Sequence, residues 1–166
     1  LFDLLFQKHT APEDLWNDGK FIASHVALEL NQPQKAQQWA RDIEPYFSEI
    51  ADFVWSIQAK AEEQQGLWKP ALDHWQKIIR LFPRSPLRSE AHYQSAKCLF
   101  HLNRLEESKE AFQIALAKFG RSQNEMLARF SLGQIAEKQQ NWEDAEAIFS
   151  YLSYYRPNEP YWEEAK

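Results

Sequence analysis

Phe82-Pro83-Arg84-Ser85 recurs 37 residues further on as Phe119-Gly120-Arg121-Ser122. At the same offset Ala91 and Tyr93 meet Ala128 and Phe130, while Trp75, Phe112 and Phe149 stand one period apart. A chain with such a period builds one supersecondary unit after another, and each unit buries its apolar face against its neighbours rather than around one centre.

Within each period the apolar pattern is helical. Over Glu90 to Leu102, Ala91, Ala96, Leu99 and Leu102 recur at steps of three to five with Lys97 and His101 between them, which gives a helix one buried face. Thr10-Ala11-Pro12-Glu13 reads as a capping box with Pro near the first turn. Asn31, Gly66, Asn103 and Asn141 stand where a left-handed residue ends a helix. The spacing predicts helices over 12–30, 34–44, 48–65, 68–82, 87–102, 105–119, 123–140 and 142–155. Residues 1–8 read as the tail of one further helix and 159–166 as the start of another. No segment alternates long enough for a sheet, so the expected fold is all-α: a right-handed solenoid of about four antiparallel helix pairs. The repeats fall at about 12–47, 48–84, 85–121 and 122–157 of a single domain, 1–166, read as a fragment of a longer protein.

These residues resemble the tetratricopeptide (TPR) repeat, whose pattern is Trp-x2-Leu-Gly-x2-Tyr, then Ala-x3-Phe, then Pro. The Ala slot holds Ala36, Ala71, Ser108 and Ala145, and the Phe slot holds Ala40, Trp75, Phe112 and Phe149. The Trp slot holds Lys20, Trp55, His92 and Arg129, so only the second repeat matches there. Leu132-Gly133 fits the Leu-Gly slot, where Ala23-Ser24, Gln58-Ala59 and Ser95-Ala96 keep a small second residue. Pro83 and Pro157 fill the Pro slot, with Ser48 and Gly120 as substitutes. The long period and the segment from Leu81 to Tyr93 are similar to bacterial envelope TPR proteins of the BamD and CpoB type. That likeness implies a periplasmic or outer-membrane-associated setting, with the cytoplasm as the alternative.

Composition removes several classes of function. The net charge is −5, with 19 Lys and Arg against 24 Asp and Glu, which argues against a nucleic-acid binder. Mean hydropathy is −0.65 and no apolar run is long enough to predict a membrane span. Four separated glycines cannot write a phosphate-cradling loop, so no cofactor is expected. Neither HExxH nor GxSxG occurs. Cys98 and His101 could supply half a zinc site, but no second pair accompanies them, so no metal is expected. Glu62-Glu63 and Glu106-Glu107 point about 100° apart on a helix and read as solvated faces rather than acid–base pairs. No catalytic residue is predicted. Lys77, Arg80, Arg84 and Arg88 gather at a helix junction, where they read as charge complementing a helix C-terminus, with an anion or lipid-headgroup patch as the rival.

The aromatics Trp55, Trp68, Trp75, Trp142, Phe112 and Phe149 fall at packing slots and are expected in the core. In TPR proteins the first helix of each repeat lines the concave face. The resemblance therefore implies rows at Phe21, Ser56, Tyr93 and Phe130, at His25, Lys60, Lys97 and Gln134, and at Leu28, Glu63, Phe100 and Glu137. From these we expect a partner-binding groove of Phe21, His25, Lys60, Tyr93, Lys97, Phe100, Phe130 and Gln134. The Lys and Asn clamp with which some TPR modules hold acidic chaperone tails is absent from the rows, so a hydrophobic or mixed segment is the expected ligand. The sequence thus reads as a non-catalytic scaffold for a protein or peptide, with self-association through its end repeats as a further possibility. The rivals are a structural spacer stacked on its own flanking repeats and a regulatory arm of an enzyme encoded outside these residues.

Overall fold

The computed structural model describes residues 13–120 and 124–155, and within them every regular element is a helix. These are α1 (Glu13–Glu29), α2 (Pro33–Ile43), α3 (Ala51–Gln64), α4 (Trp68–Leu81), α5 (Arg88–His101), α6 (Leu105–Phe119), α7 (Glu125–Lys138) and α8 (Trp142–Tyr155), with 3-10 turns at Glu44–Tyr46 and Ser48–Ile50. The helical ends expected over 1–8 and 159–166, and the start of the capping box at Thr10, lie outside the described residues. The start expected at 48 comes later, at Ala51. Pro45 has no N–H to give and a fixed φ, and the chain passes through two 3-10 turns before α-helix resumes.

Each hairpin closes in the same way. Asn31, Gly66, Asn103 and Gln140 have positive φ, and the next residue's N–H reaches back five residues: Gln32 to Ala27 O at 2.8 Å, Leu67 to Glu62 O at 2.8 Å, Arg104 to Leu99 O at 3.0 Å and Asn141 to Ala136 O at 2.9 Å. This Schellman closure satisfies carbonyls that the helix end leaves open. In the last hairpin the left-handed residue is Gln140, not the expected Asn141. Asn141 instead caps α8, its Oδ1 accepting from the Asp144 N–H at 3.3 Å.

The chain divides into two compact units, Leu1–Leu87 and Arg88–Lys166. In the first, α1 packs on α2 and α3 on α4, with α2 against α3 and Ala23, Leu28, Trp39, Ile43, Val54 and Ile57 buried between them. In the second, α5 packs on α6 and α7 on α8, with α6 against α7. Its buried side chains form one cluster around Phe112 and Ile135 and another around Phe130 and Leu152.

Small residues set how closely a pair of helices can approach. Ala36, Ala71, Ser108 and Ala145 are all buried, and the buried Ser108 hydroxyl donates to Ala96 O at 2.8 Å. The small residues Ser24, Ala59, Ala96 and Gly133 of the first helices are buried as well. A Cβ at Gly133 would stand 2.6 Å from Cε1 of Phe149, so the ring takes the space that a side chain would fill. Trp75 and Phe112 are fully buried, Trp55 is buried, and Phe149 and Trp68 are half-buried. Trp142 departs from the expected core: it is 65% exposed. As the first residue of α8 it stands before the turn that carries the packing slot Ala145.

Candidate functional site

The first helices of the last two hairpins, α5 and α7, enclose a cleft of about 210 Å³. Tyr93, Lys97, Phe100 and His101 line it from α5, and Leu127, Phe130, Ser131 and Gln134 from α7. Five of these, Tyr93, Lys97, Phe100, Phe130 and Gln134, belong to the groove expected from sequence. They meet because positions three, four and seven apart on α5 share a face, and their equivalents on α7 stand one period further on. The volume admits one or two side chains and falls below the range of roughly 300–1,000 Å³ usual for cofactor pockets.

The cleft floor belongs to the core. Phe130 is only 5% exposed and its ring lies 5.7 Å from that of Phe149, so it supports the cleft from below. Tyr93 is half-buried with its ring 5.7 Å from Phe112. Phe100 is half-buried, edge-on to the His101 ring at 5.7 Å, and the Lys138 ammonium sits 5.4 Å from its centroid. Burial, then the positive charges of Lys97 and Lys138, hold His101 below the ordinary imidazole pKa. The residues lining the cleft include no carboxylate.

Phe21, His25 and Lys60 lie in the first unit. Phe21 is half-buried against that unit's core, with its ring 5.1 Å from His25 and 5.9 Å from Phe47. Burial and the charge of Lys60 lower the His25 pKa, with Glu29 opposing them. Ser56, in the same row, is buried with its hydroxyl donating to Phe53 O at 2.8 Å, so that position offers no groove surface.

The sequence reading missed a larger, open hollow of about 660 Å³ in the first unit, lined by residues including Arg41, Glu44, Pro45, Trp55, Leu81 and Phe82. Glu44 accepts from the Trp55 indole at 2.8 Å and the Gln58 amide at 2.9 Å, and Lys77 lies 3.6 Å both from its carboxylate and from the Trp55 ring centroid. Burial opposes the charge of Glu44. The hydrogen bonds from Gln58 and Trp55, with the charges of Lys77 and His74, overcome that and hold the carboxyl below the usual range. The only advance sign was the Glu44-Pro45 break between helices. Lys77 is thereby tied into a local network rather than left as part of a cationic patch.

One acidic pair also differs from expectation. Glu62 is 2% exposed, accepting from the Gln37 amide at 2.9 Å and bonded to His74 Nδ1 at 2.8 Å, while Glu63 accepts from the Trp75 indole at 2.6 Å. These carboxylates join α3 to α2 and α4, because buried charge is tolerated where hydrogen-bond partners converge. Glu106 and Glu107 do face solvent. Cys98 is fully buried, away from solvent. Among the described residues no group of three or more His, Cys, Asp or Glu could hold a metal ion, and no helix is long and apolar enough to cross a membrane.

The family model described as tetratricopeptide repeat matches residues 58–122 and 102–154. No curated protein matches the sequence. Among solved structures, the apo form of RapI superposes with a TM-score of 0.77 at 18% identity over 88% of this chain, which spans 57% of the RapI chain. MamA from Desulfovibrio magneticus RS-1 gives 0.73 at 13% identity, covering 87% of this chain and 77% of that one. YrrB, described as a TPR protein with an unusual peptide-binding site, gives 0.66 at 16% identity, covering 84% of this chain and 68% of its own. At these identities the likeness is one of fold, an all-α solenoid of helix pairs.

Proposed function

Because this chain belongs to the tetratricopeptide repeat family, we propose that it is a protein-interaction scaffold whose α5–α7 cleft holds an extended segment of a partner. The carrying observation is the meeting of Tyr93, Lys97, Phe100, Phe130 and Gln134 in one cleft built from two successive first helices. A preformed surface with a few anchors can bind a peptide without ordering itself first. YrrB, of similar fold, is described by its peptide-binding site, which makes such a role reasonable for a chain of this architecture. We read all 166 residues as a single repeat domain of about four repeats, with Phe21, His25 and Lys60 as partner-binding residues of the first unit by itself, and we propose no catalysis and no nucleic-acid partner. The 37-residue spacing and the segment Leu81–Tyr93 support a finer placement among bacterial envelope TPR proteins; a lipoprotein leader in the full gene is the observation that tests it.

A random dodecapeptide display library selected on the whole chain tests the scaffold reading. Ser131 is half-buried at the cleft and leaves the core clusters untouched, so Ser131→Trp fills the cleft while preserving the fold. Selected peptides are expected to lose about tenfold or more in affinity for this variant, as anchor residues dominate such interfaces. Failure to select any peptide, or equal binding to the folded variant, contradicts the proposal.

A second reading, the structural spacer, draws on α8. Trp142 and Tyr154 are 65% and 77% exposed, so α8 presents two large aromatic side chains on which another copy could stack. This predicts a concentration-dependent dimer in sedimentation that disappears in Trp142→Ser/Tyr154→Ser; a monomer at all concentrations removes the reading of self-association.

A further inference from the structure

The last turn of α2, the 3-10 turns, the start of α3 and the last turn of α4 all contribute to the hollow of the first unit, so these segments meet at one end of that unit. Large apolar side chains stand out there: Tyr46 is 57% exposed, Leu81 51% and Ile50 36%. Arg41, Arg80 and Arg84 are exposed at the same end. Arg41 lines the hollow, Arg80 shares the last turn of α4 with Leu81, and Arg84 lies two residues past Phe82. We propose that this end of the first unit is a peripheral docking surface for an anionic lipid bilayer. Tyr46, Ile50 and Leu81 enter the headgroup region, and Arg41, Arg80 and Arg84 lie against the phosphates. The surface is independent of the α5–α7 cleft.

Charge and apolar exposure carry the assignment together. A cation in the last turn of a helix complements the helix dipole, which accounts for Arg41 on α2 and Arg80 on α4. The dipole does not account for the apolar side chains beside them. Single exposed apolar residues are ordinary, but three from separate segments at one end, flanked by cations, have the makeup of an interfacial anchor: apolar groups to bury and positive charge to meet acidic headgroups. A tyrosine ring suits that depth, since its body is apolar and its hydroxyl tolerates the headgroup layer. Tyr46, Ile50, Arg80 and Arg84 lie outside the lining of the hollow, so a broad, deformable surface meets them where a single inserted side chain does not.

The acids at this end leave the arginines available. Asp42 is held by Lys20 at 2.9 Å, and Glu44 accepts from Trp55 and Gln58 with Lys77 beside it. Asp52 is buried, and Glu49 is exposed. Among the described residues no carboxylate pairs with Arg41, Arg80 or Arg84. The chain as a whole carries a net charge of −5, but repulsion between an anionic surface and distant acids is screened beyond about 10 Å at ordinary ionic strength, so docking through this end alone avoids most of it.

Flotation of the whole chain with vesicles of equal parts phosphatidylglycerol and phosphatidylcholine tests the proposal. The chain is expected to float with these vesicles, to stay behind with vesicles of phosphatidylcholine alone, and to be released as salt is raised to about 1 M, where screening shortens to about 3 Å. One basic residue at an anionic surface is worth about fivefold in partitioning, so Arg41→Gln/Arg80→Gln should lower the partition coefficient about tenfold or more. Tyr46→Ser/Leu81→Ser should lower it about as much. All four positions are exposed, so both variants keep the fold. Ser131→Trp, in the other unit, should bind vesicles as the wild type does. Failure to float with anionic vesicles overturns the proposal, as does flotation indifferent to both double variants. Equal binding to phosphatidylcholine alone overturns the part given to the arginines, and an unchanged Tyr46→Ser/Leu81→Ser variant overturns insertion. Display-selected peptides whose binding is lost in Tyr46→Ser/Leu81→Ser, from a chain that ignores vesicles, would assign the surface to a protein instead.

Discussion

Trp75 and Trp142 show how far a side chain's chemistry depends on its position in the repeat. Trp75 is fully buried in the slot that holds Phe112 and Phe149 in the next two repeats, and its indole N–H is satisfied by Glu63. Trp75→Ala removes a large ring from a packed site and is expected to cost about 3–5 kcal/mol. Trp142→Ala, at a 65% exposed position, should stay within about 0.5 kcal/mol. Urea titrations of the two variants check this, and a comparable loss for both means that the burial assigned to α8 is wrong. The sequence located Trp75 correctly because its equivalents recur at one period. It misplaced Trp142 because an aromatic at the first residue of a helix satisfies the same hydrophobic pattern without facing a neighbour. Glu62 was harder still to foresee: its partners Gln37 and His74 stand 25 and 12 residues away, and no local pattern announces them.

At the level of elements, helix boundaries followed from turn chemistry to within a few residues. The three helix exits at Asn31, Gly66 and Asn103 were legible because Asn and Gly tolerate positive φ. The fourth was not, because Gln140 has no such tendency and the adjacent Asn141 drew the assignment while serving as the next helix's cap. Gln140 therefore holds a left-handed conformation at a cost. Gln140→Gly is expected to stabilise the chain by about 0.5–1 kcal/mol, read as a raised urea midpoint; a lowered midpoint contradicts the turn geometry. In the second unit α5 and α7 bring Tyr93, Lys97, Phe100, Phe130 and Gln134 to one cleft. In the first unit Ser56 turns inward and Phe21 joins the core, a distinction that depends on packing rather than on repeat position.

For the whole molecule, the imidazoles set the response to acid. His25, His92 and His101 are all held below the ordinary histidine pKa, by burial first and by neighbouring Lys or Arg charges second. A base whose folded pKa is depressed binds fewer protons folded than unfolded, so stability is full above the ordinary value and falls as pH drops through it. Glu44 acts lower on the scale: its stabilisation is present above the usual carboxylate range and is lost as pH falls through its depressed folded value. Urea midpoints are expected to decrease from about pH 7.5 to about pH 5.5, and less steeply in His101→Gln. A flat profile contradicts the lowered pKa of these three imidazoles.

The most direct measurement is a backbone amide chemical-shift map of the chain titrated with a display-selected peptide. The account predicts that the largest changes fall on α5 and α7, around Tyr93, Lys97, His101, Ser131 and Gln134, and that Ser131→Trp removes them. Changes confined to the second helices α6 and α8, or spread evenly over the chain, would contradict a groove built from the first helices.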